Sequence, residues 1–277
     1  RVNKAPDWRN YLSQVSCTLS SLFVHNVLWY IDPDTLLVGA YAPIETARMA
    51  ATVVALPGQI TFAGDKLAQL SPERMWILQR AFPACDGRPL DLFPIYDMRP
   101  VWTLKVRRAW AAWDVVSVFN FSETKPRRAT VRMAELGLDA KAGYLAWDFW
   151  RQAFLGRQQG KMTLSLAPRS NALIALHPDL GRPQFLSTDR HITQGAVGLD
   201  ALAWDEAALT LAGRSELVAG DPTRLAFFAP KGYALAQAAC KPGKVESVDK
   251  RQDGSIVATL RAGKTCAVQW KLRFRKA

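Results

Sequence analysis

The chain has 277 residues, 49% of them apolar, with four cysteines, three histidines and a formal net charge of +12. No segment reaches the ~18 uninterrupted apolar residues of a spanning helix, so a soluble globular chain is expected and a membrane span is not. Cys17, Cys85, Cys240 and Cys266 form no C-x-x-C pair, which with so few histidines speaks against a zinc site, and no cofactor is implied.

The charge invites a nucleic-acid reading, but a binding footprint clusters its cations, often with stacking aromatics. Here Lys and Arg are dispersed. The densest patches are residues 125–128 and 271–276, and in the second Lys271, Arg273 and Arg275 alternate with Leu272 and Phe274, as on a solvated strand face. The expectation is therefore no nucleic-acid partner.

The chain begins at Arg1 rather than Met, with no charged-then-apolar leader, and reads as processed, trimmed or a fragment. Trp8, Tyr11, Leu12, Val15, Leu19, Leu22 and Phe23 then follow helical spacing, with Asp7 placed as N-cap and Cys17 as a small buried residue of the helix. The next stretch, VHNVLWYIDPDTLLVG over residues 24–39, reads as a buried strand that ends in Asp32-Pro33-Asp34. Pro33 cannot donate to a ladder and pushes Asp32 into an extended conformation. Two carboxylates are thus displayed at the carboxyl end of a strand, where an α/β barrel carries its active site.

A helix over residues 43–56 follows, striped by Ile44, Ala47, Ala51 and Val54 and stopped by Pro57-Gly58. Residues 59–63 read as a short strand. Ser71 and Pro72 open another helix with Met75, Leu78 and Phe82 on its buried side, and Pro83 ends it. Helix, strand, helix, strand, helix argues for parallel βα units. Two strands close no barrel, so the front of such a fold is expected to lie outside this sequence.

After a Pro-rich connector the pattern changes to short strands separated by Gly, Pro and Asp turns: residues 101–106, 113–121, 129–133, 144–150, 162–166 and 172–176. A second β-rich stretch starts near Phe185, with strands at 199–204, 208–211, 225–228 and 233–239. Asp253-Gly254 joins 245–250 to 255–260 as a hairpin, and 267–274 closes the chain. Cys240 and Cys266 could meet on neighbouring strands, as a disulfide or as two thiols. The expected division is 1–83 barrel end, 84–100 connector, 101–184 β-sandwich and 185–277 a second β-rich region.

Taken together these pieces resemble the α-galactosidase, or melibiase, type of glycoside hydrolase of clan D, chiefly families twenty-seven and thirty-six. LWYIDPDTLLVG resembles the family's "W-x-DPD-x-L-x-V" loop. Leu56-Pro57-Gly58-Gln59 resembles its "A-L-x-G" entry to the last barrel strand, Gly64-Asp65-Lys66-Leu67 its "S-D-x-L", and Leu70-Ser71-Pro72-Glu73-Arg74 its "L-x-P-E-R" helix. WDVVSVFN, WDFWRQAF, LAPRS and STDRHITQG resemble the β-domain that follows the barrel. The match runs over most of residues 1–235 in the family's order.

The resemblance implies an α/β plus all-β chain: the last part of a (β/α)8 TIM barrel followed by antiparallel β-sandwich material. It implies retaining hydrolysis of α-galactosides, which needs one carboxylate to attack and another to protonate the leaving oxygen, ~5–5.5 Å apart. The nucleophile's "K-x-D" setting does not occur ahead of the D-P-D loop, so the nucleophile is expected outside this chain. The acid/base of an "R-x-x-x-D" segment is placed ambiguously. Counting from Arg1 gives Ala5, two inserted residues give Asp7, and aligning on Trp8 gives Asn3, which has no titrating proton. Asp7 is the acid/base candidate, although a helix N-terminus favours a charged carboxylate over the protonated one that a general acid needs. Asp34 is implied beside the bound sugar, with Arg1 near it. Asp32 reads either as a second sugar contact or as the Asx-type turn around Pro33. Trp29 reads as strand core or sugar platform, Asp65 as fixing the loop after the last strand, and His25 and His191 as structural histidines. The implied partner is a carbohydrate. The other expectation from the same residues is a carbohydrate-binding or structural β-protein without catalysis.

Overall fold

A computed structural model describes residues 7–85 and 98–276. Far more of these residues lie in β-strands than in helices. Among the described residues no helix is long and apolar enough to cross a membrane. The chain divides into two compact units: Arg1–Lys105, Val115–Leu138 and Lys161–Ile174 in the first, and Val106–Asp114, Asp139–Gly160 and Ala175–Ala277 in the second.

The first unit opens with helix α1 (Trp8–Ser21), whose Trp8, Tyr11, Val15 and Leu19 are buried. Asp7 is its N-cap, the carboxylate accepting the Arg9 N–H at 3.3 Å. Cys17, expected inside, is exposed. The apolar stripe of α1 leaves that position on the solvent side.

Residues 24–31 do not form the expected buried strand. Asn26 takes φ 55°, its N–H donates to the Trp29 carbonyl at 2.9 Å, and the chain reverses there. Val27, Leu28, Trp29 and Tyr30 are 58–69% exposed, so Trp29 is not strand core. The strand comes after the D-P-D loop: β1 (Thr35–Leu36) pairs in parallel with β2 (Phe62–Ala63), joined through α2 (Ile44–Ala55) as one βαβ unit. The expected strand over 59–63 starts three residues before β2, and among the described residues β1 and β2 are the parallel strands of this unit's two-stranded sheet. Helix α3 (Pro72–Arg80) follows, with Ser71 as N-cap to the Arg74 N–H at 3.4 Å and Pro72 at its first position. Ile77, Leu78, Arg80 and Ala81 are its buried side, while Met75 is only half-buried.

Strands β3 (Val101–Arg107), β4 (Ala112–Asn120), β5 (Arg127–Arg132), β6 (Gly143–Asp148), β7 (Ala153–Gln159), β8 (Lys161–Leu166) and β9 (Ser170–Pro178) make a seven-stranded sheet in the order β3-β4-β9-β6-β7-β8-β5. Two four-stranded antiparallel sheets lie within the second unit. One is β10 (Gln184–Thr188), β13 (Thr223–Phe228), β16 (Ser255–Arg261) and β15 (Lys244–Lys250). The other is β11 (Leu199–Asp205), β12 (Thr210–Leu217), β17 (Cys266–Lys276) and β14 (Tyr233–Lys241). Inward residues of both, among them Phe185, Phe227 and Leu260 of the first and Leu211, Trp270 and Phe274 of the second, share one core. This is the alternation expected where two sheet faces meet. Asp253-Gly254 makes the predicted hairpin, with Lys250 opposite Ile256 and Gly254 at φ 82°. Cys240 and Cys266 are free thiols.

Candidate functional site

The D-P-D loop interrupts the parallel pairing of the first unit. The Ile60 N–H donates to the Ile31 carbonyl at 3.2 Å on one side of it, and the Gly64 N–H to the Leu36 carbonyl at 3.1 Å on the other. Between them the Asp34 N–H donates to Asp32 Oδ1 at 2.9 Å, the Asx turn that Asp forms readily around proline. Asp34 itself sits at φ 69°, a left-handed conformation that Asp tolerates better than most residues. Its Oδ1 accepts the Thr35 N–H at 2.7 Å and the Thr35 hydroxyl at 3.0 Å.

These bonds, the backbone N–H first, hold the Asp34 carboxyl below the usual carboxylate range. It is therefore a charged acceptor at neutral pH, suited to ligand hydroxyls and unsuited to donating a proton. His25 braces the entry to the loop: its Nδ1 accepts the Ile31 N–H at 3.1 Å, and its Nε2–H donates to the Gly58 carbonyl at 3.1 Å. That is the structural role expected of it. The Gln14 side-chain amide of α1 donates to the Pro33 carbonyl from the other side.

Asp34 opens onto a cavity of about 380 Å³. Trp8, Tyr11 and Gln14 of α1 form one wall, Thr46, Ala50 and Val54 of α2 another, and the β1 segment and residues 41–43 complete it together with Arg169. A cavity of this size suits a small ligand. Arg169 stacks its guanidinium over the Trp8 ring, 5.1 Å from the centroid, and pairs with Glu123. Its carbonyl accepts the Thr46 hydroxyl at 3.3 Å. The Tyr11 hydroxyl is buried with no hydrogen-bond partner among the described residues, and burial pushes its pKa up.

The residues singled out in the sequence are not all brought here. Asp34 lines the cavity; Asp32 supports it through the turn; Asp7 caps α1 and Trp29 lies in the exposed reversal, neither of them lining it. Arg1, like Ala5 and Asn3, lies outside the described residues. Among the described residues Asp34 is the one carboxylate on the cavity wall, and a retaining displacement needs two. Among the described residues no group of His, Cys, Asp and Glu could hold a metal ion.

Sequence reasoning missed Tyr41, Tyr11 and Arg169 as cavity residues. Arg169 stood within a quoted segment, LAPRS, yet nothing local to it signals a place opposite the D-P-D loop. Asp65 fixes a loop as expected, but the loop after β1: its carboxylate takes the Val38 N–H at 2.7 Å, the Gly39 N–H at 3.1 Å and the Tyr41 hydroxyl at 2.8 Å. Partial burial, then that bond to Asp65, raise the Tyr41 phenol above its ordinary pKa, so it stays a donor.

No protein-family model matches the sequence, and no curated protein matches it. Solved structures do. A GH27 β-L-arabinopyranosidase from Geobacillus stearothermophilus superposes with a TM-score of 0.53 at 17% identity, over 64% of this chain and 43% of that one. A variant of that enzyme in complex with arabinose gives 0.51 at 16% identity, over 63% and 43%. An α-galactosidase I from Mortierella vinacea gives 0.48 at 14%, over 61% and 44%. The chain shares its fold with the first two over nearly two thirds of its own length, and spans under half of theirs.

Proposed function

We propose that the chain carries the end of a catalytic (β/α)8 barrel and the following β-domain of a retaining glycoside hydrolase for α-galactosides or related α-linked sugars, and that it is inactive by itself. The observation that carries the reading is Asp34, a charged acceptor presented by the D-P-D turn on the wall of a sugar-sized cavity, beside a parallel βαβ unit. The ordered motifs from the D-P-D loop to STDRHITQG support it, as does the fold shared with GH27 glycosidases. In this reading Asp34 accepts sugar hydroxyls, Asp32 holds it in place, and the attacking carboxylate comes from outside these 277 residues. Asp7, the acid/base candidate, is engaged as the cap of α1.

One observation favours a second reading, a carbohydrate-binding protein without catalysis: among the described residues the cavity wall holds a single carboxylate. Both readings require sugar binding at Asp34. Titration with D-galactose and L-arabinose, followed by amide chemical shifts, should move the Thr35 resonance in the wild type and leave it unmoved in Asp34→Ala. Equal shifts in both proteins, or none in the wild type, would rule out a sugar site at Asp34.

A further inference from the structure

The cavity has three aromatic residues, Trp8, Tyr11 and Tyr41, and two of them have their surfaces taken. Trp8 and Tyr11 are 6% and 7% exposed, stack on each other with centroids 5.1 Å apart, and Arg169 lies over the Trp8 ring. Tyr41 remains 41% exposed. An exposed tyrosine on a loop would ordinarily be free to turn, and this one is not.

Its oxygen donates to Asp65 Oδ1 at 2.8 Å and accepts the Gly39 N–H at 3.1 Å. The backbone beneath it is held from both polarities. The Asp65 carboxylate takes the N–H groups of Val38 and Gly39. The Arg74 guanidinium donates to the Val38 carbonyl at 2.6 Å, to that of Gly39, and to that of Ala42 at 2.7 Å. Gly39 is required by the closeness of the packing: a Cβ there would stand 2.4 Å from Tyr41 Cε1 and 2.6 Å from Asp65 Oδ1. Charge-assisted bonds from two side chains to one short loop exceed what closing a turn needs. They are what a wall of fixed tilt needs.

We propose that Tyr41 is a ligand-contacting residue of the Asp34 cavity, the aromatic wall against which a sugar ring lies, and that Asp65 and Arg74 are its positioning residues. This rests on the carbohydrate reading of the site. An aromatic face takes the C–H face of a pyranose while a charged acceptor takes its hydroxyls, and the cavity offers one of each. The ligand class is a single galacto- or arabino-configured ring.

The test is a titration of ring-labelled tyrosine protein with D-galactose and with L-arabinose. The Tyr41 ring resonances and the Thr35 amide should move together with one Kd. Tyr41→Ala should weaken that Kd about tenfold or more, and Tyr41→Phe, which keeps the ring and loses its tether, by roughly two- to fivefold. Asp65→Asn should weaken it in the same direction with the melting temperature within a few degrees of wild type. A Tyr41 ring that stays still while Thr35 shifts, or Tyr41→Ala binding as tightly as wild type, overturns the proposal alone. No shift at any resonance overturns the carbohydrate reading, and this proposal with it.

Discussion

His177, at the end of β9, is 5% exposed. Its ring stacks on Trp113 at 5.5 Å and 13°, with Phe185 edge-on at 5.9 Å. An imidazolium is poorly solvated among those rings, and burial takes the His177 pKa from 6.5 down to about 4. The unfolded chain therefore binds the proton more readily than the folded one between those two values. Stability from this group is fully present above pH 6.5 and is lost as the pH falls toward 4. At ~1.4 kcal/mol per pH unit, going from pH 7 to 4.5 removes roughly 2–3 kcal/mol. His177→Phe keeps an aromatic ring of similar shape and abolishes the titration. Whatever the lost ring nitrogen costs is the same at both pH values and cancels in the difference. Asp148, buried with its pKa raised, contributes in the opposite sense as the pH falls, and it too cancels between the two proteins. Urea unfolding of wild type and His177→Phe at pH 7 and 4.5 measures the difference directly. Wild type should lose roughly 2–3 kcal/mol more than the variant. Parallel losses in the two proteins would refute a buried neutral His177.

Three further outcomes follow from single sites. Gly213→Ala should destabilise the second unit by about 1–3 kcal/mol, because its Cβ would lie 2.2 Å from Cζ2 of the buried Trp270; an unchanged denaturation midpoint would count against that packing. Gly39→Ala should weaken the loop held by Asp65, by about 1–3 kcal/mol of stability and with loss of sugar affinity, for the same steric reason. Replacing Leu28 and Trp29 by Lys should reduce concentration-dependent association in sedimentation velocity, since Val27, Leu28, Trp29 and Tyr30 form an exposed apolar turn beside a two-stranded parallel sheet. Identical sedimentation of the two proteins would show that this turn does not drive association.

The β-rich part was legible because its strands alternate cleanly. In β17 Val268, Trp270, Leu272 and Phe274 point in while Gln269, Lys271 and Arg273 point out, as the sequence pattern demands. The Asp-Gly hairpin was equally plain. β7 was not, because AFLGRQQ turns polar halfway and Gly156 sits at φ 80°. The run at 24–31 misled for a different reason. Apolar content says that a segment favours burial, and says nothing of what would cover it; here Asn26 turns the chain and the run stays exposed. Cys17 was placed inside by composition, where the spacing of Trp8, Tyr11, Val15 and Leu19 puts it outside. At the site, Asp34 and Asp32 were legible because D-P-D is local chemistry. Tyr41 and Arg169 were not, since one is set by hydrogen bonds from Asp65 and Arg74 and the other arrives from the turn before β9.

In the proposed function the Asp34 cavity binds a sugar, and its single described carboxylate does not by itself complete a retaining displacement. The direct measurement is turnover of a chromogenic α-galactoside by the purified 277-residue chain beside Asp34→Ala. No release above the uncatalysed rate is predicted for either protein, because the proposed function takes the attacking carboxylate from outside these residues. Turnover by the wild type that disappears in Asp34→Ala would show that a working pair of carboxylates lies within this chain, and would contradict the account.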